Sequence, residues 1–302
     1  MPGELPPSGT ARCAVSQPPT SPPLRIPKTS RGVPFNRKCQ VMQDRYTGDI
    51  GDFGKFGLLR ALVRENQETV RKLGVIWYLV PDETETTGGN LTAYLDDSAY
   101  GALDGDLHML LRRIVNSGSR SVRLVEENGV LPPDTVFYRD PLDYGGALWA
   151  SPRHMRFRER WRRQWLAGAL RATEACDLVF LDPDNGIASV RVFPHQTKAR
   201  KYAFLEELRL FVEQGQTVIV IHHPWHVGTV DQQIAHRLRT FQAELSIEKP
   251  LCLRLRKGVS RLFFFLPTGK LKTAIAEGAQ RFVEGNWGRL FTLSAWDAPV
   301  NG

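Results

Sequence analysis

The sequence DLVFLDPDNG, residues 177–186, is an apolar run that stops abruptly at Asp182. A proline, a second acid (Asp184), an amide (Asn185) and a glycine follow it. Such a run is typical of a central strand buried on both faces of a parallel sheet, and open α/β sheets bind ligands at the carboxyl ends of their strands. Asp-Pro and Asn-Gly also form ordinary turns, but two acids within three positions exceed what a turn needs. We therefore expect Asp182, Asp184 and Asn185 to be catalytic residues at the end of this strand.

Predicted helices and strands alternate along the rest of the chain. Apolar periodicity favours helices at residues 57–65, 103–115, 154–173, 201–214, 230–245 and 271–282. Strands are predicted at residues 75–80, 121–125, 135–138, 178–181 and 218–221, followed by a hairpin at 251–266 and an edge strand at 290–293. This alternation indicates an α/β fold: a Rossmann-like three-layer sandwich whose mostly parallel sheet has about seven strands and a C-terminal antiparallel hairpin.

Residues 1–41 differ in composition from the rest of the chain. They are rich in proline, serine and arginine and show no apolar periodicity, so we predict a disordered tail, followed by a single α/β domain at residues 42–302. A translation start at Met42 would explain the tail, as would a linker or a targeting extension. Six bases and a single acid lie in it, so the net charge of +8 is weak evidence for a nucleic-acid partner.

Composition disfavours several classes of protein. No apolar run reaches the roughly 18 residues that cross a bilayer, and the first residues lack the apolar core of a secretory signal. The four cysteines are scattered, without the paired spacing of a zinc module or a disulfide framework. We expect a cytoplasmic protein with no membrane partner.

Two polar segments are candidate cofactor sites. Residues 48–55, GDIGDFGK, combine glycines, acids and a lysine before a predicted helix, so Gly48, Asp49, Asp52 and Lys55 are expected to bind a cofactor or an anion. A capped turn is the alternative, because Asp49 and Asp52 are good N-cap residues.

The second segment is PDETETTGGN, residues 81–90, which follows the first buried strand. There we predict Asp82 and Gly88 as cofactor-binding residues, because such a loop meets the cofactor in nucleotide-binding sheets. The glycine fingerprint is incomplete, so a solvated acidic turn is equally compatible with this segment.

Histidines follow the strand predicted at 218–221, in the sequence HHPWH at residues 222–226. If this strand adjoins the strand of Asp182, then His222 and His223 face the same crevice as Asp182 and Asp184. Two histidines and two acids are a possible ligand set for a divalent metal. His222 could equally act in proton transfer, and a capped strand end is the third interpretation.

The helix predicted at 154–173 carries a basic stripe of Arg156, Arg160 and Arg163. Phosphates attract such a stripe, and Lys201 adds a base at the start of the next predicted helix. These four residues are candidates for binding RNA or DNA, although a charged solvated helix face is the commoner meaning of such a run. The aromatic residues at 157, 161 and 165 recur every four positions, and we expect them to be buried.

Two short motifs resemble those of the bacterial 23S ribosomal RNA adenine-N6 methyltransferases. Residues 48–55 resemble that family's Gly-Asn-x-Ala-Asp-x-x-Lys opening, and the Asp-Pro-Asp-Asn of residues 182–185 falls where the family carries Asp-Pro-Pro-Tyr. The chain also looks like an uncharacterised group of bacterial proteins that share these segments and the His-His strand end. The order of elements matches from residue 44 to about residue 266.

This resemblance implies a class I methyltransferase-like domain that binds S-adenosylmethionine. Asp182 would accept hydrogen bonds from an exocyclic amine that attacks the methyl group, and Lys55 would lie near the cofactor. Glu126 would close the second strand, where an acid often holds the cofactor ribose. The aromatic of Asp-Pro-Pro-Tyr stacks on a flipped base, and Tyr202 or Trp225 could take that place.

Two other functions stay open on the residues alone. One is a metal-dependent phosphodiesterase or nuclease that uses Asp182, Asp184, His222 and His223. The other is a non-catalytic nucleic-acid-binding protein.

Overall fold

The computed structural model describes residue 44, residues 46–80 and residues 90–295. The chain divides into two units, residues 1–38 and 39–302, and every described residue belongs to the second unit. The predicted tail, and Asp82 and Gly88 of the second predicted cofactor segment, lie outside the described residues.

Helices and strands alternate through the described part of the chain. The helices are α1 (Ile50–Glu65), α2 (Ser98–Gly101), α3 (Gly105–Asn116), α4 (Val122–Glu127), α5 (Pro152–Ala172), α6 (Leu205–Glu213), α7 (Val230–Leu245) and α8 (Lys272–Glu284). The strands are β1 (Leu73–Trp77), β2 (Val136–Tyr138), β3 (Leu178–Asp182), β4 (Gly186–Ile187), β5 (Tyr202–Ala203), β6 (Thr217–His222), β7 (Leu251–Leu255), β8 (Arg261–Leu266) and β9 (Phe291–Ala295). Among these described helices, none combines the length and the apolar character that crossing a membrane requires.

Seven strands form one mixed sheet in the order β2-β1-β3-β6-β8-β7-β9. The pairs β1–β2, β1–β3 and β3–β6 are parallel, whereas β8 is antiparallel to both of its neighbours and β9 is antiparallel to β7. Five of the seven strands therefore run in one direction, which confirms the predicted α/β class and the mostly parallel sheet. Strands β4 and β5 form a separate parallel pair.

Helices cover both faces of the sheet because the central strands are apolar on both faces. Val75 and Phe180 point to one face, where they join a core with residues of α1, α3, α4 and α8. Ile76 and Leu181, one position further on, point to the other face, where they join a core with residues of α5, α6 and α7. Because helices cover both faces of these strands, every residue of β3 and β6 is buried, which explains their continuous apolar runs.

The chain changes its direction of travel across the sheet between β1 and β3. From β1 it steps outward to β2, then returns past β1 to β3, and continues the other way to β6. The carboxyl ends of β1 and β3 therefore flank a switch point, the position where open α/β sheets place their ligands. Trp77 and Asp182 end these two strands and are direct partners in the strand register.

The strand predicted at 121–125 was wrong, because these residues begin helix α4. Ser121 caps that helix with its side chain, and Val122 and Val125 are both buried on one helical face. An apolar run this short fits either period, so the sequence pattern did not distinguish a strand from a helix. The strand beside β1 is β2 instead.

Helix α1 begins at Ile50, seven residues before the start predicted at Gly57. Gly51, Gly54 and Gly57 are therefore inside α1 and share one face, where the sheet and the residues before β9 approach closely. A Cβ at Gly57 would lie 2.1 Å from the ring of Trp287, and one at Gly54 would lie 3.0 Å from Leu255. These glycines allow α1 to pack closely against the sheet and against Trp287.

We expect Gly57→Ala to lower the free energy of unfolding by about 1–3 kcal/mol, because the added methyl group overpacks against Trp287. Urea denaturation followed by circular dichroism measures this change. Gly105→Ala is the matched control, since a Cβ at that helical position meets no atom within 4 Å. Equal stability of the two variants would contradict the close packing of this face.

Candidate functional site

The side-chain ammonium of Lys55 lies at the switch point of the sheet, between two buried carboxylates. Its Nζ is 2.9 Å from Oδ2 of Asp182 and 2.8 Å from Oδ1 of Asp52. The same Nζ lies 5.2 Å from the ring centre of Trp77, at the end of β1. Helix α1 presents Lys55 and strand β3 presents Asp182, so the fold unites the two motifs that carried the methyltransferase resemblance.

The charges of this cluster depend on one another. Burial alone would lower the pKa of Lys55, but the carboxylates of Asp182 and Asp52 outweigh burial and raise that pKa above its ordinary value. Lys55 is therefore a cation at neutral pH. Burial raises the pKa of Asp52, and the attraction of Lys55 works against this increase.

A second ion pair fixes the start of α1 to the reversed strand β8. Asp49 accepts two hydrogen bonds from Arg261, at 3.0 and 2.8 Å, and its Oδ1 also accepts the backbone N–H of Asp52. Burial would raise the pKa of Asp49, but Arg261 outweighs burial and lowers it. Because Gly51 has no side chain, the guanidinium fits against α1.

Gly48 contributes to the same turn through its backbone. Its N–H donates to Oδ2 of Asp52, and its carbonyl accepts the hydroxyl of Tyr94, each at 3.0 Å. The glycine has a φ of +82°, which favours a residue without a side chain. Asp52 thus contacts Lys55 directly, and Gly48 and Asp49 hold Asp52 through its side chain and its backbone N–H.

Glu126 reaches the carboxyl edge of the sheet from helix α4, not from the end of a strand as expected. Its Oε1 accepts the indole N–H of Trp77 at 3.0 Å, and its Oε2 pairs with Arg139 at 2.7 Å. Trp77 ends β1 and Arg139 follows β2, so Glu126 lies beside the ends of both strands. Burial raises the pKa of its carboxyl.

Asp184 and Asn185 leave β3 on a path separate from the Lys55 cluster. The side chain of Asp184 is 3.9 Å from the ammonium of Lys201, and the backbone N–H of Asn185 donates to the carbonyl of Lys201 at 2.8 Å. The chain thus folds back so that β4 pairs with β5. The structure brings Asp184, Asn185 and Lys201 together as one neighbouring group.

His222 is buried at the end of β6, where Nδ1 accepts the backbone N–H of Ile187 at 3.0 Å. Burial, with the nearby charge of Arg237, lowers the pKa of His222 to about 3. Gly186 makes room for this contact, since a Cβ there would lie 2.4 Å from Nδ1. His222 thus ties β6 to the turn that follows β3.

His223 directly follows β6, and the charges that act on it are those of Arg261, Asp182, Asp49 and Lys55. Burial and the charge of Arg261 lower its pKa to about 4, while Asp182 and Asp49 act in the opposite direction. His223 therefore belongs to the Lys55 side of the sheet, and His222 to the other side.

The alternative metal set of Asp182, Asp184, His222 and His223 is not assembled. Within the described ranges, no group of three or more histidine, cysteine, aspartate or glutamate side chains is arranged to hold a metal ion. The two histidines diverge, and Asp182 faces the ammonium of Lys55. The geometry does not favour metal-dependent hydrolysis by these four residues.

The predicted buried face of α5 was wrong. Trp165 is buried, but Trp161 is 39% exposed, because two arginines occupy the inward positions. Arg162 binds both carboxylate oxygens of Glu207 and the backbone carbonyls of residues 199 and 202. Arg158 binds the carbonyls of residues 147, 149 and 195. The predicted basic stripe of Arg156, Arg160 and Arg163 is exposed.

Sequence reasoning missed Arg261, Trp77 and Arg162. Arg261 pairs with an acid 212 positions away, and no local pattern announces such a contact. Trp77 lies in an apolar run, and its sequence pattern does not distinguish it from the other buried residues of the strand. Arg162 lies within the basic run that suggested a surface, and only its spacing of four from Arg158 hinted at a shared face.

Comparisons with known proteins do not assign this chain to a family. No family model matches the chain, and a search of curated proteins gives no match. The solved structure of protein LPL1258 from Legionella pneumophila str. Philadelphia 1, described as family-model DUF519, is similar at 10% identity and a TM-score of 0.40, over 82% of this chain and 96% of that one. A likeness this weak carries no assignment of family or function.

We expect Lys55→Met to lower the free energy of unfolding by about 3–5 kcal/mol, because two buried carboxylates lose their cation. Chemical denaturation at neutral pH measures the loss. Lys257→Met removes an exposed lysine and serves as the control. A loss below about 1 kcal/mol, no larger than that of an exposed pair, would show that Lys55 does not hold the cluster together.

The lowered pKa of His222 predicts a loss of stability in mild acid. The imidazole of His222 takes up a proton near pH 6.5 in the unfolded chain and only near pH 3 in the folded chain. Its contribution to the free energy of unfolding is therefore fully present above pH 6.5 and is lost as the pH falls toward 3. Between about pH 7 and about pH 5, the titration of this one group lowers the free energy of unfolding by about 2 kcal/mol.

His222→Asn keeps an acceptor for Ile187 but removes the titrating ring, so its stability should fall less over this pH range. Urea denaturation at a series of pH values measures the difference. His226→Asn, which removes an exposed imidazole, is the control. A pH dependence identical to that of the unaltered protein would refute the burial of a neutral imidazole at position 222.

Proposed function

We propose that this protein is a class I methyltransferase-like enzyme that transfers a methyl group from S-adenosylmethionine to an exocyclic amine, on a nucleic-acid substrate in the cytoplasm. One observation carries the proposal: Asp182, Lys55 and Glu126 converge around the ends of β1 and β3. These strands flank the switch point of the sheet, where α/β folds bind nucleotide-like cofactors.

The topology of the sheet supports a Rossmann-like assignment. Strand β8 runs against its neighbours β6 and β7, and β8 follows β7 directly in the chain. A reversed strand supplied by a late hairpin is the pattern of the class I methyltransferases. The sheet departs from that pattern at its edge, where the antiparallel strand β9 pairs with β7.

The residues present fit the polar groups of the cofactor. Each carboxylate oxygen of Glu126 accepts one hydrogen bond from the protein, and a carboxylate has about four acceptor sites, so Glu126 retains capacity for ribose hydroxyls. Lys55 supplies a buried cation at the same edge, suited to a carboxylate. Asp52 positions Lys55, and Gly48 and Asp49 support Asp52.

S-adenosylmethionine, when bound, supplies an electrophilic methyl group. Asp182 would accept a hydrogen bond from the substrate amine and direct its lone pair toward that methyl group, so that catalysis is chiefly positioning. Lys55 fixes the carboxylate from one side, through Oδ2. The electron pair of the broken sulfur–methyl bond would stay on the sulfur of the departing cofactor. The methylated amine would then release its extra proton to water, which needs no strong base at this site.

Trp225 is the better candidate for the aromatic that stacks on the target base. It lies on the loop after β6 and is 37% exposed. Gln233 holds this loop by hydrogen bonds to the backbone N–H and carbonyl of Trp225 and to the carbonyl of Val227. The alternative aromatic, Tyr202, begins β5, and its backbone carbonyl accepts a hydrogen bond from the buried Arg162.

Calorimetric titration with S-adenosylmethionine tests the proposal. We expect the unaltered protein to bind the cofactor and Glu126→Gln to weaken binding by about tenfold, equivalent to about 1.4 kcal/mol. Glu127→Gln is the matched control, because Glu127 lies on the same short helix but pairs with Arg123 at the surface. The absence of binding heat, or equal affinities in the two variants, would contradict the proposed cofactor site.

The role of Asp182 is tested separately. Asp182→Asn should change cofactor affinity by less than about twofold, yet lower the transfer of labelled methyl groups into an unmodified RNA pool by at least about 100-fold. Retained transfer would show that Asp182 does not position the amine.

A further inference from the structure

The first half of α5 presents a basic surface to solvent. Arg153, Arg156, Arg160 and Arg163 are exposed, and Glu159 is the single acid among residues 152–165. At about 3.6 residues per turn these arginines share one broad face, opposite the buried Arg158 and Arg162. The charge of this face is predominantly positive, with four exposed arginines against the single acid Glu159.

The connection between β4 and β5 adds bases to the same surface. Residues 188–201 contain no acid, and Arg191 and Lys198 are exposed within them. Arg158 donates to the carbonyl of residue 195, and Arg162 donates to that of residue 199 at 2.7 Å. These two buried arginines therefore hold the connection against the inner side of α5, so that the two basic segments are neighbours on the surface.

Large aromatic side chains border these bases in solvent. Trp149 is 74% exposed, Phe193 is 51% exposed, and Trp161 is 39% exposed with its ring stacked on Phe157. The guanidinium of Arg158 also donates a hydrogen bond to the backbone carbonyl of Trp149, at 3.1 Å. Exposed aromatic groups of this size on an ordered, basic surface indicate a binding site.

The position of this surface connects it with the proposed active site. Helix α5 joins the end of β2 to the start of β3, so its first residues lie at the carboxyl edge of the sheet. The connection 183–204 leaves β3 from that edge at Asp182 and returns past Lys201, which lies beside Asp184. A ligand on the surface would thus extend toward Asp182.

We propose that this basic aromatic face, formed by residues 153–163, Trp149 and the connection 188–201, binds a single-stranded nucleic-acid segment. Its arginines contact phosphates, and Trp149 and Trp161 stack on unpaired bases, which a duplex would keep stacked inside. Its role in delivering a base to Asp182 rests on the proposed methyl transfer, but the binding itself does not require the cofactor.

Fluorescence anisotropy with a labelled oligonucleotide of about 12 nucleotides tests the arginines at a series of salt concentrations. The variant R156Q/R160Q/R163Q should weaken binding by at least about tenfold near 100 mM salt and reduce the slope of log Kd against log salt by about 2. The control R113Q/R239Q/K249Q removes the same charge from exposed positions on other elements and should change Kd by less than about twofold.

The aromatic residues are tested with W149A/W161A. This variant should weaken binding of the single strand by at least about tenfold without changing the salt slope, and should leave the weaker binding of a duplex unaltered. Equal losses in the two charge variants would overturn the proposal, as would an unchanged single-strand affinity in W149A/W161A or a failure of the unaltered protein to bind.

Calorimetry with S-adenosylmethionine separates this proposal from the proposed function. The variant R156Q/R160Q/R163Q should retain the cofactor affinity of the unaltered protein. If the protein binds the oligonucleotide as described but not the cofactor, the methyltransferase proposal fails and the nucleic-acid surface stands. If it binds the cofactor but not the oligonucleotide, only the nucleic-acid surface fails.

Discussion

The ammonium of Lys55, buried between Asp182 and Asp52, is the interaction on which the candidate site depends. Two carboxylates close together at the end of a buried strand would repel each other and would be poorly solvated. The cation offsets both costs, and it joins helix α1 to the centre of the sheet. Arg261 extends the same arrangement by pairing with Asp49, so the reversed strand β8 also takes part. The same charges thus form the candidate site and link α1 and β8 to the centre of the sheet.

Buried cations serve a second purpose on the opposite face of the sheet. Arg162 has a carboxylate partner in Glu207 and two carbonyl partners, which satisfy a guanidinium that would otherwise be costly to bury. Through these contacts the long connection after β3 is fixed against α5. The connection has only a small apolar cluster of its own, in which Val192, Ala199 and Phe204 are buried, so the hydrogen bonds to arginines add to its packing. These contacts together explain why the connection can offer an ordered surface beside the switch point.

The sequence predicted the α/β class and the mostly parallel sheet, because a strand buried on both faces and a helix buried along one stripe have different apolar patterns. Helix α7 has the predicted bounds of residues 230 and 245, where Thr229 and Gln232 form a capping box. Residues 121–125 failed because a short apolar run fits both periods. Within the site, Asp182 and Lys55 were predicted from local motifs, whereas the pairing of Asp49 with Arg261 was not. That contact depends on how distant elements pack, and the same is true of the inward-pointing arginines of α5.

The glycine face of α1 has a consequence for how this protein can change over evolutionary time. Because the helix backbone lies against Trp287 and Leu255, its depth over the sheet also sets how far the lysine three residues after Asp52 can reach. A bulkier residue at position 57 requires a smaller one at position 287. Without that change, α1 would move away from the sheet and Lys55 would move away from Asp182. Descendants of this chain should therefore alter these two positions in concert, in opposite directions of size.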